Sequence, residues 1–120
     1  MKTAGVAKLL RIFVGERDRG HGQPLYIAVV EKLRQAGLAG ATVFKGIEGY
    51  GEHATVHAAR VFDLTNDLPI LIEVVDSEES IRAFLPILDT MLEEGFVTLE
   101  SVEFFRYRRA QTGASPEDPR

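Results

Sequence analysis

The sequence contains no cysteine, which removes disulfide bonds, Cys-ligated zinc, iron–sulfur clusters and thiol nucleophiles from consideration together. It also has no apolar run near the ~20 residues that a membrane-spanning helix requires. The first five residues lack the apolar centre of a signal peptide. We therefore expect a soluble, cytoplasmic protein with no direct membrane insertion.

The motifs of common catalytic and phosphate-binding sites are missing as well. No Gly-Lys-Ser/Thr sequence ends a Walker A loop, and no serine lies in a G-x-S-x-G elbow. His53 and His57 are four residues apart, as two helical metal ligands would be, but the H-E-x-x-H order is absent. The sequence therefore predicts no catalytic residue, no metal site and no required cofactor.

Basic residues are in the minority, since 14 Lys and Arg stand against 18 Asp and Glu and give a net charge of −4. This balance argues against nucleic acid as a partner. The charge is unevenly distributed, because residues 1–60 carry +4 and residues 61–120 carry −8. Either the two halves neutralise each other in one fold, or the first half contains an anion site.

The 120 residues, 45% of them hydrophobic, fit a single domain. Apolar β-branched residues predict strands over 6–15, 41–48 and 68–75. An amphipathic helix of about thirteen residues begins at about Pro24, which suits a first helical turn. Pro69 implies that the third strand starts at an edge or outside the ladder.

A second helix is expected from Asp76, as N-cap, with Glu79 reaching back to it. Pro86 predicts a kink in this helix, because proline removes a backbone donor. A last strand is expected within 96–107, most clearly over 102–107, and the polar residues 111–120 read as a disordered tail. The domain therefore covers residues 1–110.

Two right-handed crossovers would place both helices on one face of a four-stranded antiparallel sheet, the α+β ferredoxin-like βαββαβ arrangement. The side chains expected to face the helices are Leu10, Ile12, Val14, Ile70, Ile72 and Val74. The opposite face carries Leu9, Arg11, Phe13, Leu71, Glu73 and Val75. That face is apolar enough to predict packing against other copies, with isolated surface residues around an Arg11–Glu73 pair as the alternative.

Three segments are candidates for ligand binding. Three glycines and a tyrosine in 46–51 suit a close backbone approach to a ligand, although turn geometry explains them equally well. The aperiodic connection 52–67 is long enough to suggest a functional loop. A charged loop precedes the first helix, where an anion site or solvated side chains are both consistent with the sequence. The candidate contacts are Lys45, Glu48, Gly49, Tyr50, Gly51, His57 and Arg60, with Arg17, Arg19 and His21 as a second cluster.

Several sequence blocks together resemble the DUF190 family over about residues 7–107. These blocks are LLRIFVGE (9–16), GQPLY (22–26), GATVFKGIEGYG (40–51), LPILIEVVDSEE (68–79) and LPILDTMLEEGFVTLESVEF (85–104). That family is similar to PII-like signalling proteins, which implies a ferredoxin-like protomer, a trimer and a mobile loop between the second and third strands.

PII-type proteins bind adenine nucleotides in clefts between subunits and use the long loop, here residues 49–67, to hold a transporter, channel or enzyme. The Lys-rich phosphate loop that follows their second helix reads EEGFVT (93–98) here. Its lysine is replaced by acidic residues, which argues against triphosphate binding in that manner.

The sequence and the resemblance together suggest a homotrimeric regulator. It would sense a small anionic effector, an adenine nucleotide being one candidate, and control a partner such as an ion channel or transporter. Two alternatives remain open. One is a small metal-assisted enzyme using His53, His57 and a carboxylate at a subunit interface, and the other is a ligand-independent trimeric adaptor.

Overall fold

The computed structural model describes residues 1–49, the backbone of 57–58, and residues 67–110. Its main elements, in chain order, are β1 (Lys2–Gly15), α1 (Leu25–Gln35), β2 (Thr42–Lys45), β3 (Pro69–Asp76), α2 (Glu78–Asp89) and β4 (Phe96–Tyr107). Two short antiparallel ladders accompany them, Arg19–Gly20 with Gln23–Pro24 and Glu48–Gly49 with His57–Ala58. The predicted tail, 111–120, lies outside the described residues.

The four strands form one antiparallel sheet in the order β2-β3-β1-β4. This order, with one helix after β1 and another after β3, confirms the ferredoxin-like α+β fold. The central strand β1 places Arg11 opposite Glu73 of β3 and opposite Thr98 of β4. Because side chains alternate along a strand, these three residues share the face away from the helices, which we call the open face.

The core lies between the sheet and the two helices. All six strand residues predicted to face the helices are buried, and each helix contributes an apolar stripe because its buried residues recur at helical spacing. The helical core residues are Leu25, Ala28, Val29 and Leu33 from α1, and Ile81, Phe84 and Leu88 from α2.

The start of α2 differs from the prediction. Ser77, not Asp76, is the N-cap, because its hydroxyl accepts the backbone N–H of Ser80 at 3.1 Å. Asp76 uses its carboxylate outside the helix instead. The helix continues through Pro86 and ends three residues later at Asp89.

Pro69 lies neither at a sheet edge nor outside the ladder, so the prediction for the start of this strand is wrong. Pro69 is the first residue of β3, which lies between β2 and β1, and it is opposite Gly15 in the register. The missing N–H of proline is tolerated at the first position of a strand. Its carbonyl accepts the backbone N–H of Gly46 at 2.8 Å.

β1 begins earlier than predicted and extends past the end of β3. Lys8 is opposite Asp76, the last residue of β3, whereas Lys2–Ala7 continue in register with Val102–Tyr107 of β4. This two-stranded extension, residues 2–7 and 102–107, is called the ribbon below. Its end is closed by a 2.8 Å bond from the N–H of Arg108 to the carbonyl of Met1.

Candidate functional site

A cleft of about 920 Å³ lies where β3 stops and the ribbon continues. Its walls come from the start of β2, the end of β3 and the ribbon. The lining residues are Val6, Ala7, Ala39, Gly40, Ala41, Thr42, Glu73, Val75, Asp76, Ser77, Phe104, Phe105, Arg106 and Tyr107. The cleft therefore collects residues from four separate stretches of the chain.

Asp76 fixes one wall of the cleft. Its Oδ2 accepts the backbone N–H of Ala39 at 2.8 Å, and its Oδ1 accepts the N–H of Ser77 at 2.7 Å. Both carboxylate oxygens are thus used in holding the segment before β2 against the start of α2. This arrangement holds residues 39–42, which line the cleft, close to Ser77, the N-cap of α2.

The ribbon supplies an aromatic ring and a cation to the cleft. Phe104 is opposite Gly5 in the register, and a Cβ on Gly5 would lie 2.9 Å from Cε2 of Phe104. The ring therefore lies close against the glycine backbone, where a larger residue would displace it. The guanidinium carbon of Arg106 is 5.9 Å from the centroid of the same ring, within cation–π range.

The acidic side chain of Glu73 at the cleft is already partnered. Arg11 donates from Nε to Glu73 at 2.9 Å and from Nη1 to Glu100 at 2.8 Å, joining three strands on the open face. The hydrogen bond to Glu73 is the main cause of a raised pKa for the Arg11 guanidinium. Glu73 therefore shares the single charge of Arg11 with Glu100, and the three side chains together keep a net charge of −1.

The groups left to meet a ligand are a hydroxyl, an aromatic ring and a guanidinium. Thr42 provides the hydroxyl, while Phe104 and Arg106 provide the ring and the positive charge. The Ser77 hydroxyl lines the cleft but is already used, because it accepts the N–H of Ser80 and donates to Oγ of Ser80 at 3.0 Å. Such a set suits a flat heteroaromatic group that carries an anionic substituent, because rings stack and guanidinium binds phosphate. This set of side chains is suited to binding a ligand.

The ligand candidates from the sequence lie elsewhere, at the base of the connection 49–67. Lys45 forms a 2.7 Å ion pair with Glu16, so an anion at Lys45 must compete with a carboxylate. Glu48 and Gly49 pair through their backbones with His57 and Ala58. Of the remaining candidates, Tyr50, Gly51 and Arg60, together with the side chain of His57, lie outside the described residues.

The second cluster belongs to a turn and a hairpin before α1. The backbone N–H of Arg17 donates to Oδ1 of Asp67 at 2.8 Å, and Arg19 donates to the carbonyl of Gly22 at 3.1 Å. His21 and Gly22 both have positive φ, 55° and 76°, as in a tight type I′ hairpin turn. His21 also lines a cavity of about 150 Å³ beside α1.

The cleft and the loop base are at opposite ends of β2. Thr42 lines the cleft and Lys45 lies at the loop base, three residues or roughly 10 Å along the strand. None of the described candidates from the sequence lines the cleft. The one sequence signal that could have found it is the adjacent pair Phe104–Phe105, an excess of aromatic side chains on an edge strand.

Among residues 1–49 and 67–110, no three His, Asp or Glu side chains are grouped so as to hold a metal ion. The two histidines of the metal alternative, His53 and His57, have their side chains outside that part of the chain. The helices that the structure describes are too short and too polar to cross a bilayer.

The fold is that of PII-like proteins. CPII from Thiomonas intermedia K12, a nitrogen regulatory PII-like protein bound to ADP, AMP and bicarbonate, superposes with a TM-score of 0.57 at 19% identity, over 85% of this chain and 91% of CPII. A putative PII-like signaling protein from Thermus thermophilus gives 0.58 at 19% identity, over 84% of this chain and 90% of that protein.

The chain belongs to the DUF190 family (Uncharacterized ACR, COG1993), whose sequence profile matches residues 7–104. A UPF0166 protein of Aquifex aeolicus (strain VF5) is 41% identical over 96 residues, covering 80% of this chain and 90% of the relative. UPF0166 protein MJ1524 of Methanocaldococcus jannaschii is 36% identical over 101 residues, covering 83% and 93%. The family resemblance drawn from the sequence is confirmed.

Proposed function

We propose that this protein is a PII-like regulator that binds an adenine nucleotide, with or without a further small anion, in the cleft beside the ribbon. The observation that carries the proposal is the convergence of Phe104, Arg106 and Thr42 around a space of about 920 Å³. The likeness to CPII, which was bound to ADP, AMP and bicarbonate, supports the same ligand class.

Each group has a role in this proposal. The Phe104 ring stacks on the base, and the Arg106 guanidinium binds a phosphate oxygen once the ligand draws it from the ring. Thr42 supplies a hydroxyl at the opposite wall.

The proposed assembly is a homotrimer formed through the open face. One row of apolar side chains crosses all four strands at matched register, Phe44, Leu71, Phe13 and Phe96. The two edge members remain 48% and 64% exposed in the single chain, and an apolar row of this kind gains from cover. A neighbouring copy would also narrow the open mouth of the cleft.

The proposed output is a partner protein, a membrane channel or transporter being one class, contacted through residues 49–67. Two contacts tie the ends of that connection to the sheet, Gly46 N–H to Pro69 at 2.8 Å and Arg17 N–H to Asp67 at 2.8 Å. A ligand-independent trimeric adaptor is the alternative, since packing of the apolar row between copies would require no ligand.

Isothermal titration calorimetry with ADP, AMP, ATP and bicarbonate tests the proposal. Wild-type protein should bind ADP or AMP, and Arg106→Gln and Phe104→Leu should each weaken that binding by about tenfold or more. Arg34→Gln, an exposed charge on α1, is the matched control and should bind normally. Wild-type protein that gives no heat with any of the four would remove the nucleotide proposal and favour the adaptor.

A Lys45→Gln variant separates the two candidate positions. If the ligand lies in the cleft, this change should leave nucleotide affinity within about twofold, because Lys45 is at the other end of β2 and is paired with Glu16. A tenfold loss in Lys45→Gln with no loss in Arg106→Gln would place the ligand at the loop base instead.

A further inference from the structure

We propose that the free end of the ribbon is a docking surface for an anionic lipid bilayer. This surface, called the ribbon tip, consists of Lys2, Phe105, Tyr107, Arg108 and Arg109. Phe105 and Tyr107 also line the cleft, whereas the cations Lys2, Arg108 and Arg109 do not. The inference is therefore tested on these three cations alone.

The ribbon tip has a charge opposite to that of the rest of the protein. Side chains of residues 1–6 and 103–110 carry a net charge of +3, since four basic residues there face one acidic residue, Glu103. The whole chain carries −4, so the remaining residues carry −7. An anionic surface would attract the ribbon tip and repel the rest of the protein. The protein would therefore approach such a surface with the ribbon tip first.

The tip also exposes more apolar surface than a solvated ribbon end requires. Tyr107 is 70% exposed and Phe105 is 57% exposed. A two-stranded ribbon that projects from its sheet has little packing of its own to stabilise it. Aromatic residues combined with Lys and Arg are the composition that proteins place at the level of lipid headgroups.

The arrangement of rings and cations favours a bilayer over a single-stranded nucleic acid. The Nζ of Lys2 lies 4.9 Å from the Phe105 centroid and 5.6 Å from that of Tyr107. A single-stranded nucleic acid needs a positively charged groove that follows its backbone over several nucleotides, whereas the cations of the tip are gathered at one end of a narrow two-stranded ribbon. In a headgroup layer the same pairs can stay intact, with the cation near phosphate and the ring near the acyl boundary.

Co-sedimentation with vesicles tests the proposal. Full-length protein is mixed with vesicles of phosphatidylcholine alone or of phosphatidylcholine with phosphatidylglycerol. Binding to the anionic vesicles only, weakened by added salt, is the expected result. The variant Lys2→Gln/Arg108→Gln/Arg109→Gln removes three tip charges and should weaken binding by roughly a hundredfold, about fivefold for each charge.

The matched control is Lys32→Gln/Arg34→Gln/Arg82→Gln, which removes three charges from the two helices and should retain vesicle binding. Nucleotide titrations should be unchanged in the tip variant, because its substitutions leave Phe104 and Arg106 intact. This keeps failure of the tip proposal distinct from failure of the cleft proposal.

Three results would overturn the lipid proposal. The first is equal recovery of wild-type and tip variant with anionic vesicles, or no recovery of either. The second is binding to a single-stranded oligonucleotide in the absence of any vesicle binding, which would assign the tip to nucleic acid. The third is a smaller assembly of the tip variant in light scattering together with no vesicle binding by wild type, which would assign the tip to a second copy.

Discussion

Asp76 accepts a 2.8 Å hydrogen bond from the backbone N–H of Ala39, a residue 37 positions earlier in the chain. This bond joins the end of β3 to the segment that leads into β2, and both stretches line the cleft. Two walls of the proposed binding site are therefore held in place by one carboxylate.

Replacing this carboxylate should affect both stability and binding. We expect Asp76→Ala to lower the free energy of unfolding by about 1–2 kcal/mol, because two backbone N–H groups lose a charged acceptor at a partly exposed site. Nucleotide affinity should fall as the wall loosens. Asp76→Asn keeps one acceptor oxygen and should lose less of both. Urea unfolding and calorimetry provide the measurements, and wild-type behaviour of Asp76→Ala in both would contradict the assigned role.

The close packing of Gly46 against Pro69 gives a second prediction. A Cβ on Gly46 would lie 2.6 Å from Cγ of Pro69, while the Gly46 N–H must stay bonded to the Pro69 carbonyl. Gly46→Ala should therefore destabilise the protein by about 1–3 kcal/mol through overpacking.

A double-mutant cycle isolates this contact. Pro69→Ala removes the Cγ that the new methyl group would meet, so Gly46→Ala should cost less in the Pro69→Ala background than in the wild type. Equal costs in the two backgrounds, measured by chemical denaturation, would show that backbone entropy and not the contact explains the glycine.

The bridge centred on Arg11 should have a modest, salt-sensitive effect. The side chains of Arg11 and Glu73 are 37% and 29% exposed, so solvent screens the pair. We expect Arg11→Met to destabilise the protein modestly at low salt and less at high salt. Glu100→Gln, which removes only the outer partner, should cost less than Arg11→Met. Thermal unfolding across ionic strength checks the order of the variants and the direction of the salt effect.

The first turn of α2 predicts a pH dependence. Arg82 donates a 2.9 Å hydrogen bond to Glu78, and this bond, with a further contribution from the charge of Lys8, lowers the pKa of Glu78. A lowered folded-state pKa means that the stabilising contribution is present above the ordinary glutamate pKa and is lost as the pH falls through the lowered value.

Removal of the cation should therefore shift the titration. In Arg82→Gln the pKa of Glu78 should rise towards its ordinary value, and the acid-side loss of stability should begin at a higher pH. NMR titration of the Glu78 side chain measures this directly, with Arg34→Gln as a control on α1. An unchanged pKa in Arg82→Gln would show that Lys8 or the helix terminus is responsible.

The core of this fold was predictable because aliphatic side chains alternate along the strands and only one face of each strand packs against the helices. In β1 and β3, every second residue is a large aliphatic, and a strand must bury one face, so Leu10, Ile12 and Ile72 could be assigned to the core from their spacing. The Arg11–Glu73 pair followed from the same alternation. The N-cap of α2 could not be decided from the sequence, because Asp76 and Ser77 are both residue types that cap helices. In the structure the Asp76 carboxylate accepts the N–H of Ala39, and Ser77 caps the helix.

The cleft was not predictable by the same means. The cleft arises because β1 and β4 continue where β3 stops. The sequence predicted too short a β1, because the small and polar residues of Lys2–Gly5 are not typical of a strand. The sequence instead indicated the glycine-rich segment 46–51 as a candidate ligand-binding site. Two of them have a packing explanation, since Gly46 and Gly49 would place Cβ atoms 2.6 Å and 3.1 Å from Pro69.

The register of β4 limits how this sequence can change in length. Phe104 and Phe105 are neighbours in the chain, yet Phe104 packs on Gly5 beside Arg106, while Phe105 lies under Lys2 on the other side of the ribbon. Insertion or deletion of one residue between Leu99 and Phe104 would exchange the two surfaces along the rest of the strand. Relatives that keep both surfaces should therefore vary in length only outside 99–107, at the turn before β4 or beyond its end.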